Sequence, residues 1–146
     1  MDDSAEPRQV VVGVALVRDG RVLAALRRPS ASTPGGWEFP GGKTEPGESD
    51  EQALVREVRE ELGVEVAVGD LLGDQPMGER YVLRVYTGRI LSGQPELREH
   101  DELRWLAADG LYDVDWLAAD RPFLEPLRSV ILASPDPSRF GDKSDV

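Results

Sequence analysis

Three glutamates, Glu57, Glu60 and Glu61, have a spacing that brings their carboxylates together if the segment is helical. At about 100° per residue, positions i, i+3 and i+4 lie on one side of a helix. Like charges at this spacing repel, so a cation would stabilise them. Mg²⁺ prefers oxygen ligands, commonly carboxylates together with substrate phosphates. The spacing therefore leaves two interpretations open: a Mg²⁺ platform for a phosphorylated substrate, or the commoner solvated acidic face, which Arg56 and Arg59 would partly neutralise.

These glutamates belong to a longer pattern that also contains glycines, an arginine and apolar positions. It has nine defined positions over 23 residues and reads Gly42-x5-Glu48-x7-Arg56-Glu57-Val58-x-Glu60-Glu61-x-Gly63-Val64. At every defined position this segment resembles the Nudix box, the motif of the Nudix hydrolase family. Chance matches to so specific a pattern are rare.

The resemblance implies an α+β protein with an α/β/α sandwich, a mixed β-sheet and a loop–helix–loop catalytic motif. It also implies hydrolysis of a nucleoside diphosphate linked to a further group, with Mg²⁺ or Mn²⁺ as cofactor. The metal ligands carried over by position are Glu57, Glu60, Glu61 and the carbonyl of Gly41. The resemblance further implies that Glu48 orders the loop, and that Arg56 orients Glu57 without touching substrate.

Residues outside the box resemble the branch of MutT-type nucleoside triphosphate pyrophosphohydrolases. They are the segment 37–43, Arg27 after the second predicted strand, and Glu99, six residues before Trp105. In that branch the arginine contacts phosphates and the glutamate is a metal ligand or general base. Lys43 is a further candidate for phosphate binding. The alternatives are surface charges for Arg27 and Lys43 and a solvated loop for Glu99.

The MutT resemblance implies attack at the β-phosphorus, giving a nucleoside monophosphate and pyrophosphate. Either Glu60 or Glu99 could accept the proton of the attacking water, and the sequence does not choose between them. Two alternative functions stay open. One is hydrolysis of a nucleoside diphosphate sugar such as ADP-ribose; the other is a nucleotide-sensing module without catalysis, which the complete set of acidic residues disfavours.

Asp120 matches the position at which MutT-type enzymes place a polar residue that contacts the base. An ionised carboxylate only accepts hydrogen bonds, so it suits the amino group of cytosine or the N–H edge of guanine. The surrounding segment most resembles the branch for CTP and dCTP, including 5-methyl-dCTP, with 8-oxo-dGTP as the other candidate. An alternative role for Asp120 is to cap the helix predicted at Pro122. The lone histidine, His100, is predicted to lie on the surface.

The elements that must position these residues follow from periodicity and turn residues. Asp19-Gly20 predicts a hairpin turn, and Ser49 with Gln52 predicts a capped helix that ends before Gly63. The predicted strands are 9–18, 22–26, 64–68, 81–91 and 102–106, with a long loop over 27–47 that contains a short strand at 37–39. The predicted helices are 49–62 and 122–133, with a helical turn at 107–111.

Composition bounds the remaining possibilities. The chain has 146 residues with 28 acidic and 17 basic side chains, for a formal charge of −11. We expect a domain over 9–133, a flexible lead-in over 1–8 and a disordered tail over 134–146. The acidity argues against a nucleic-acid polymer as partner, and no apolar run suggests a membrane partner. With zero cysteines, a cytoplasmic protein is expected; homodimer formation is left open.

Overall fold

The computed structural model describes residues 8–31 and 34–133. The predicted tail and all but the last residue of the predicted lead-in lie outside the described residues. The strands are β1 (Gln9–Arg18), β2 (Arg21–Arg27), β3 (Gly36–Glu38), β4 (Gly41–Lys43), β5 (Glu65–Met77), β6 (Tyr81–Ser92) and β7 (His100–Ala107). The helices are α1 (Asp50–Leu62) and α2 (Leu124–Ala133), with 3₁₀ segments at Ala108–Asp113 and Arg121–Phe123. Across the described ranges, no helix is both long and apolar enough to cross a bilayer.

All seven strands join one mixed sheet in which β1 is the central element. Residues 9–16 of β1 pair in parallel with β6, and residues 11–13 pair antiparallel with β4. The last residues of β1 turn through Asp19-Gly20 into β2, with Val17 opposite Val22. Strand β2 in turn pairs with β3 and β7. Because β1 bridges both groups of strands, the segment around Gly41 and the start of β7 lie near one another.

Alternate residues of β1 face opposite layers, as the period of a strand requires. Val12, Val14 and Leu16 are buried against the apolar face of α1. Ala15 and Val17 belong to a second core that contains the buried residues of α2. The sheet is therefore covered by a helix on each face, which confirms the α/β/α sandwich and the α+β class.

Helix α1 is fixed at both ends by the residues that predicted it. The Ser49 hydroxyl accepts a hydrogen bond from the backbone N–H of Gln52, whose side chain accepts one from the backbone of Ser49. Gly63 ends the helix in the left-handed conformation, at φ 72°. In the first turn, Asp50 accepts hydrogen bonds from Tyr86 at 2.6 Å and Arg84 at 3.1 Å, which tie the helix to β6.

Two predicted elements differ from the structure. The predicted long loop over 27–47 contains β4 as well as β3, although Gly41-Gly42-Lys43 carries little strand propensity. The β4 segment is a strand because it completes the edge of β1. The strand predicted at 64–68 extends to Met77, because pairing with β6 continues through irregularities after Val68. Strand β5 lies at the end of the sheet order, where a proline such as Pro76 is tolerated.

We expect Ser49→Ala to lower the free energy of unfolding by about 1 kcal/mol, because an orphan backbone donor of α1 loses its acceptor. Urea unfolding followed by far-UV circular dichroism measures this difference. Ser49→Asp keeps an acceptor at the same position and is expected to remain close to the wild type. An equal loss in both variants would contradict the capping assignment.

Candidate active site

A cleft of about 280 Å³ opens where β1, β3, β4 and the C-terminal part of α1 meet. Its lining brings together five residues that the sequence analysis selected from distant parts of the chain: Arg27, Gly41, Glu61, Glu99 and Asp120. Apolar walls come from Val12, Phe39 and Leu83, among others. The cleft thus combines one cation, several acids and an apolar surface, which is a suitable lining for an anionic ligand with a planar ring.

Glu61 is the most buried carboxylate of α1, with 8% of its surface exposed. Its Oε1 accepts a hydrogen bond from the backbone N–H of Gly41 at 3.3 Å. Burial, followed by the negative charges of Glu57, Glu38 and Glu99, raises its pKa to about 9. Without a nearby positive charge, Glu61 therefore holds a proton at neutral pH. A bound cation would favour the ionised carboxylate instead.

The glycines of β4 allow backbone and carboxylates to approach closely. A Cβ on Gly42 would lie 2.5 Å from the carboxyl carbon of Glu57, so the absence of a side chain there makes room for that carboxylate. A Cβ on Gly41 would lie 1.9 Å from the carbonyl oxygen of Val12. Packing against the backbone thus requires glycine at position 41, whereas a side chain at position 42 would displace the carboxylate of Glu57.

Arg56 connects the acidic helix to the preceding loop. Its Nε and Nη2 donate to the two carboxylate oxygens of Glu48, at 2.6 and 2.9 Å, and its Nη1 donates to Glu57 at 3.0 Å. The Arg56 guanidinium lowers the pKa of Glu48 to about 2. Glu48 also accepts from the backbone N–H of Glu45, and Arg56 donates to the carbonyl of Lys43. These contacts are the ones expected if Glu48 orders the loop and Arg56 orients Glu57.

Of the selected residues, Glu48, Arg56 and Glu57 do not line the cleft, and two further side chains, those of Glu60 and Lys43, are placed away from it. Glu60 is 56% exposed, with one carboxylate oxygen 3.6 Å from Arg56. Lys43 is exposed, and its ammonium lies 5.0 Å from the centre of the Tyr81 ring. Neither Glu60 nor Lys43 is among the residues that line the cleft. Lys43 thus makes a cation–π contact on the outer side of β4.

Asp120 reaches the cleft from the opposite layer of the sandwich. The segment before it pairs with β3, since Trp37 N–H donates to the Asp115 carbonyl and Leu117 N–H donates to the Trp37 carbonyl. The Asp120 carboxylate is buried and accepts from the backbone N–H of Phe39 at 3.4 Å. Its side chain makes no helix-capping hydrogen bond, so the capping alternative is wrong. Burial, with the charge of Glu38, raises its pKa to about 7.

Glu38 and His100 are cleft residues that the sequence analysis did not select. Glu38 accepts from Arg27 Nη2 at 2.6 Å through one oxygen, and its other oxygen lies 3.0 Å from His100 Nε2. Glu38 therefore fixes the head group of Arg27 inside the cleft. The sequence did contain a signal for Glu38. It lies between Trp37 and Phe39 on a predicted strand, so its side chain faces the opposite side from those two aromatic rings.

The prediction of a surface position for His100 is wrong, since only 4% of its surface is exposed. It is the first residue of β7 and pairs with Arg27 across the strand. Its Nδ1 has no hydrogen-bond partner within the described structure. No local signal marked it as buried, because the neighbouring residues are the charged Glu99, Asp101 and Glu102.

The acidic residues at the cleft have the donor chemistry of a hard divalent cation. Glu61, Glu57 and Glu99 supply carboxylate oxygens, and the effect of Glu57 and Glu99 on the pKa of Glu61 shows that their charges repel one another. Over residues 8–31 and 34–133, no three acidic or histidine side chains converge on a single point as they stand. The donor set therefore fits a cation through side-chain adjustment and shared ligation with phosphate oxygens or water.

The chain is similar to known proteins in both sequence and structure. The family model described as NUDIX domain matches residues 7–127. A Mycobacterium tuberculosis protein named "Putative 8-oxo-dGTP diphosphatase 2" is 43% identical over 130 residues, covering 86% of this chain and 92% of its own. The Escherichia coli CTP pyrophosphohydrolase is 36% identical over 135 residues, with 86% and 95% covered. The crystal structure of a MutT NUDIX hydrolase from Burkholderia pseudomallei superposes with a TM-score of 0.72 at 36% identity, covering 84% of this chain and 99% of its own.

The raised pKa of Asp120 predicts how stability depends on pH. The ordinary pKa of the side chain is 3.8 and the folded value is about 7, so in this window the unfolded chain releases a proton that the folded chain keeps. Stability contributed by Asp120 therefore falls as pH rises, by up to about 1.4 kcal/mol per pH unit.

We expect Asp120→Asn to lack this dependence. Its free energy of unfolding relative to the wild type should rise between about pH 4 and pH 7, and then level off. Urea unfolding at a series of pH values, with chelator present, measures the two curves. Parallel curves across this range would show that Asp120 is not buried as an acid.

Proposed function

Because this chain belongs to the Nudix hydrolase family, we propose that it hydrolyses nucleoside triphosphates to nucleoside monophosphate and pyrophosphate in nucleotide-pool sanitation. The observation that carries the proposal is the joint presence of Arg27, Glu61, Glu99 and Asp120 in one cleft. Arg27 is suited to phosphate, and the two glutamates to a cation. Asp120 is suited to a base, and similarity to named diphosphatases supports this choice of reaction.

The cofactor proposed is Mg²⁺, with Mn²⁺ as a substitute, since Nudix hydrolases generally depend on divalent metal. Glu57, Glu60, Glu61, Glu99 and the carbonyl of Gly41 are the residues proposed to hold it. When bound, such a cation polarises phosphoryl oxygens and lowers the pKa of water. It would also offset the burial and the repulsion that together raise the pKa of Glu61.

The residues of the chain then divide the remaining work. Arg56 holds the Glu57 carboxylate, and Glu38 holds the guanidinium of Arg27 where the phosphates of a nucleotide would lie. Of the two candidate bases, Glu99 lines the cleft and Glu60 does not. This placement supports Glu99 as the group that accepts the proton of the attacking water. Lys43, on the outer side of β4, is left with a peripheral role in attracting phosphate.

The proposed substrates are CTP, dCTP or 5-methyl-dCTP, with 8-oxo-dGTP as the second candidate. The Asp120 carboxylate, which accepts from the backbone N–H of Phe39, can also accept a hydrogen bond from the amino group of cytosine or the N–H edge of guanine. Uracil presents fewer donors and is expected to bind more weakly. Names of similar proteins support both candidates, as one is a CTP pyrophosphohydrolase and another carries the 8-oxo-dGTP name.

A substrate panel tests this proposal directly. The protein is incubated with Mg²⁺ and CTP, UTP, 5-methyl-dCTP, 8-oxo-dGTP or ADP-ribose, and the products are identified. We expect pyrophosphate and a monophosphate from the cytosine or oxidised guanine substrates, slower turnover of UTP, and loss of turnover with chelator. AMP and ribose phosphate as the main products would instead favour a diphosphate-sugar hydrolase, and binding without any turnover would favour a sensor.

We expect Glu61→Gln to lower kcat by at least about 100-fold while the protein stays folded, because the neutral amide cannot bind a cation as a carboxylate does. The matched control is Glu51→Gln, a change of the same chemistry at an exposed position in the first turn of α1. The control should keep its activity. Steady-state assays with thermal unfolding of each variant measure both effects, and full activity of Glu61→Gln would overturn the site assignment.

A further inference from the structure

The connection between β6 and β7, residues 93–99, carries Glu99 and is attached to the C-terminal end of α1. The backbone N–H of Glu96 donates to the carbonyl of Leu62 at 2.9 Å. The Nη1 of Arg98 donates to the carbonyl of Arg59 at 3.2 Å. Carbonyls in the last turn of a helix have no partner within the helix, so Glu96 supplies a donor that Leu62 lacks. The Arg59 carbonyl also accepts from the backbone N–H of Gly63 at 3.0 Å, and Arg98 adds a second donor there.

The packing at this junction is close. A Cβ on Gly63 would lie 2.7 Å from Nη2 of Arg98 and 3.1 Å from the carboxyl carbon of Glu96. Arg98 also bonds Glu96 through its Nε at 2.9 Å, which keeps its side chain folded back on its own segment. The positive guanidinium therefore sits at the negative end of the helix dipole, where a cation is stabilising.

Glu99 lies between two anchors in sequence. His100, the next residue, is buried at the start of β7. Arg98, the preceding residue, is fixed to α1, the helix that carries Glu57, Glu60 and Glu61. Without Arg98, the restraint on the N-terminal side of the exposed Glu99 would come from the backbone bond of Glu96, three residues away.

We infer that Arg98 is a positioning residue, which sets the place of the Glu99 carboxylate relative to the acids of α1 by fastening residues 93–99 to the last turn of that helix. The inference rests on the proposed function, in which Glu99 acts at the cation and the attacking water. Arg98 itself contacts the backbone carbonyl of Arg59 and the side chain of Glu96, and it is not among the residues lining the cleft.

The test compares Arg98→Ala with Arg59→Ala. Arg59 is an exposed arginine in the same helix turn, but its guanidinium bonds Glu65 of β5 at 2.6 and 2.8 Å. We expect Arg98→Ala to lower kcat about 10-fold with little change in KM for the nucleotide, since displaced catalytic groups act on the reaction step. Arg59→Ala should keep the wild-type rate. Arg98→Lys retains a donor and should recover part of the loss.

A double-variant cycle separates positioning from a general loss of stability. If Arg98 acts through Glu99, then Arg98→Ala added to Glu99→Gln should change kcat by less than about two-fold. If the two effects multiply, Arg98 acts independently and the inference is wrong. If the wild type turns over substrate and Glu99→Gln is impaired, the proposed function is supported whether or not Arg98 acts through Glu99. Failure of the Arg98 inference can therefore be distinguished from failure of the proposed function.

Two measurements do not depend on turnover. The NMR order parameter of the Glu99 amide should fall in Arg98→Ala and stay unchanged in Arg59→Ala. The dissociation constant for Mn²⁺, followed by the EPR signal of the free ion, should rise several-fold in Arg98→Ala. When Glu99→Gln is already present, adding Arg98→Ala should not raise this constant further. An unchanged order parameter, or unchanged Mn²⁺ affinity, would overturn the inference even in a protein without hydrolytic activity.

Discussion

Electrostatic repulsion around the buried carboxyl group of Glu61 is the constraint that shapes this protein. The charges of Glu57, Glu38 and Glu99 bear on it, and burial removes the water that would screen them. An isolated helix would relieve such repulsion by fraying. Here α1 has a capping box, a left-handed glycine at its end and an apolar face packed on the sheet. The fold thus keeps acidic side chains close together, although their mutual repulsion would destabilise an isolated helix.

The surroundings of α1 hold the individual acids in place by different means. Glu57 is held by the Arg56 guanidinium and by the space over Gly42, whereas Glu61 is held by a backbone N–H. Glu38 is engaged through both oxygens by side chains of β2 and β7. Fixing carboxylates by neighbours on several elements leaves each with free lone pairs. Because no three of the described acidic or histidine side chains already converge on one point, a bound cation would still require these side chains to adjust.

The sequence predicted the parts of the structure that depend on local signals. Helix α1 follows from the Ser49–Gln52 pair, the apolar spacing and Gly63, and the hairpin from Asp19-Gly20. Strand β4 could not be predicted, because its glycines acquire strand geometry only by completing the edge of β1. The extension of β5 past Val68 likewise depends on its partner strand.

The candidate site shows the same division. Arg27, Glu61, Glu99 and Asp120 were predicted from a motif and its flanking pattern. These four residues come from different elements and meet only in the folded cleft, so no single element would have indicated the site. The burial of His100 depends on pairing between β7 and β2, a long-range contact with no trace in its charged local sequence. Tertiary contacts of this kind decide exposure, and local composition cannot replace them.

The residues of the cleft rest on two separate cores. The acids of α1 depend on packing that includes Leu54 and Val58, whereas Asp120 depends on the Trp116 and Leu124 side of the sheet. Changes in one core are separated from the other by the sheet itself. A substitution that alters the packing behind Asp120 can therefore leave the packing behind the α1 acids unchanged, so the two walls of the cleft can be redesigned independently of one another.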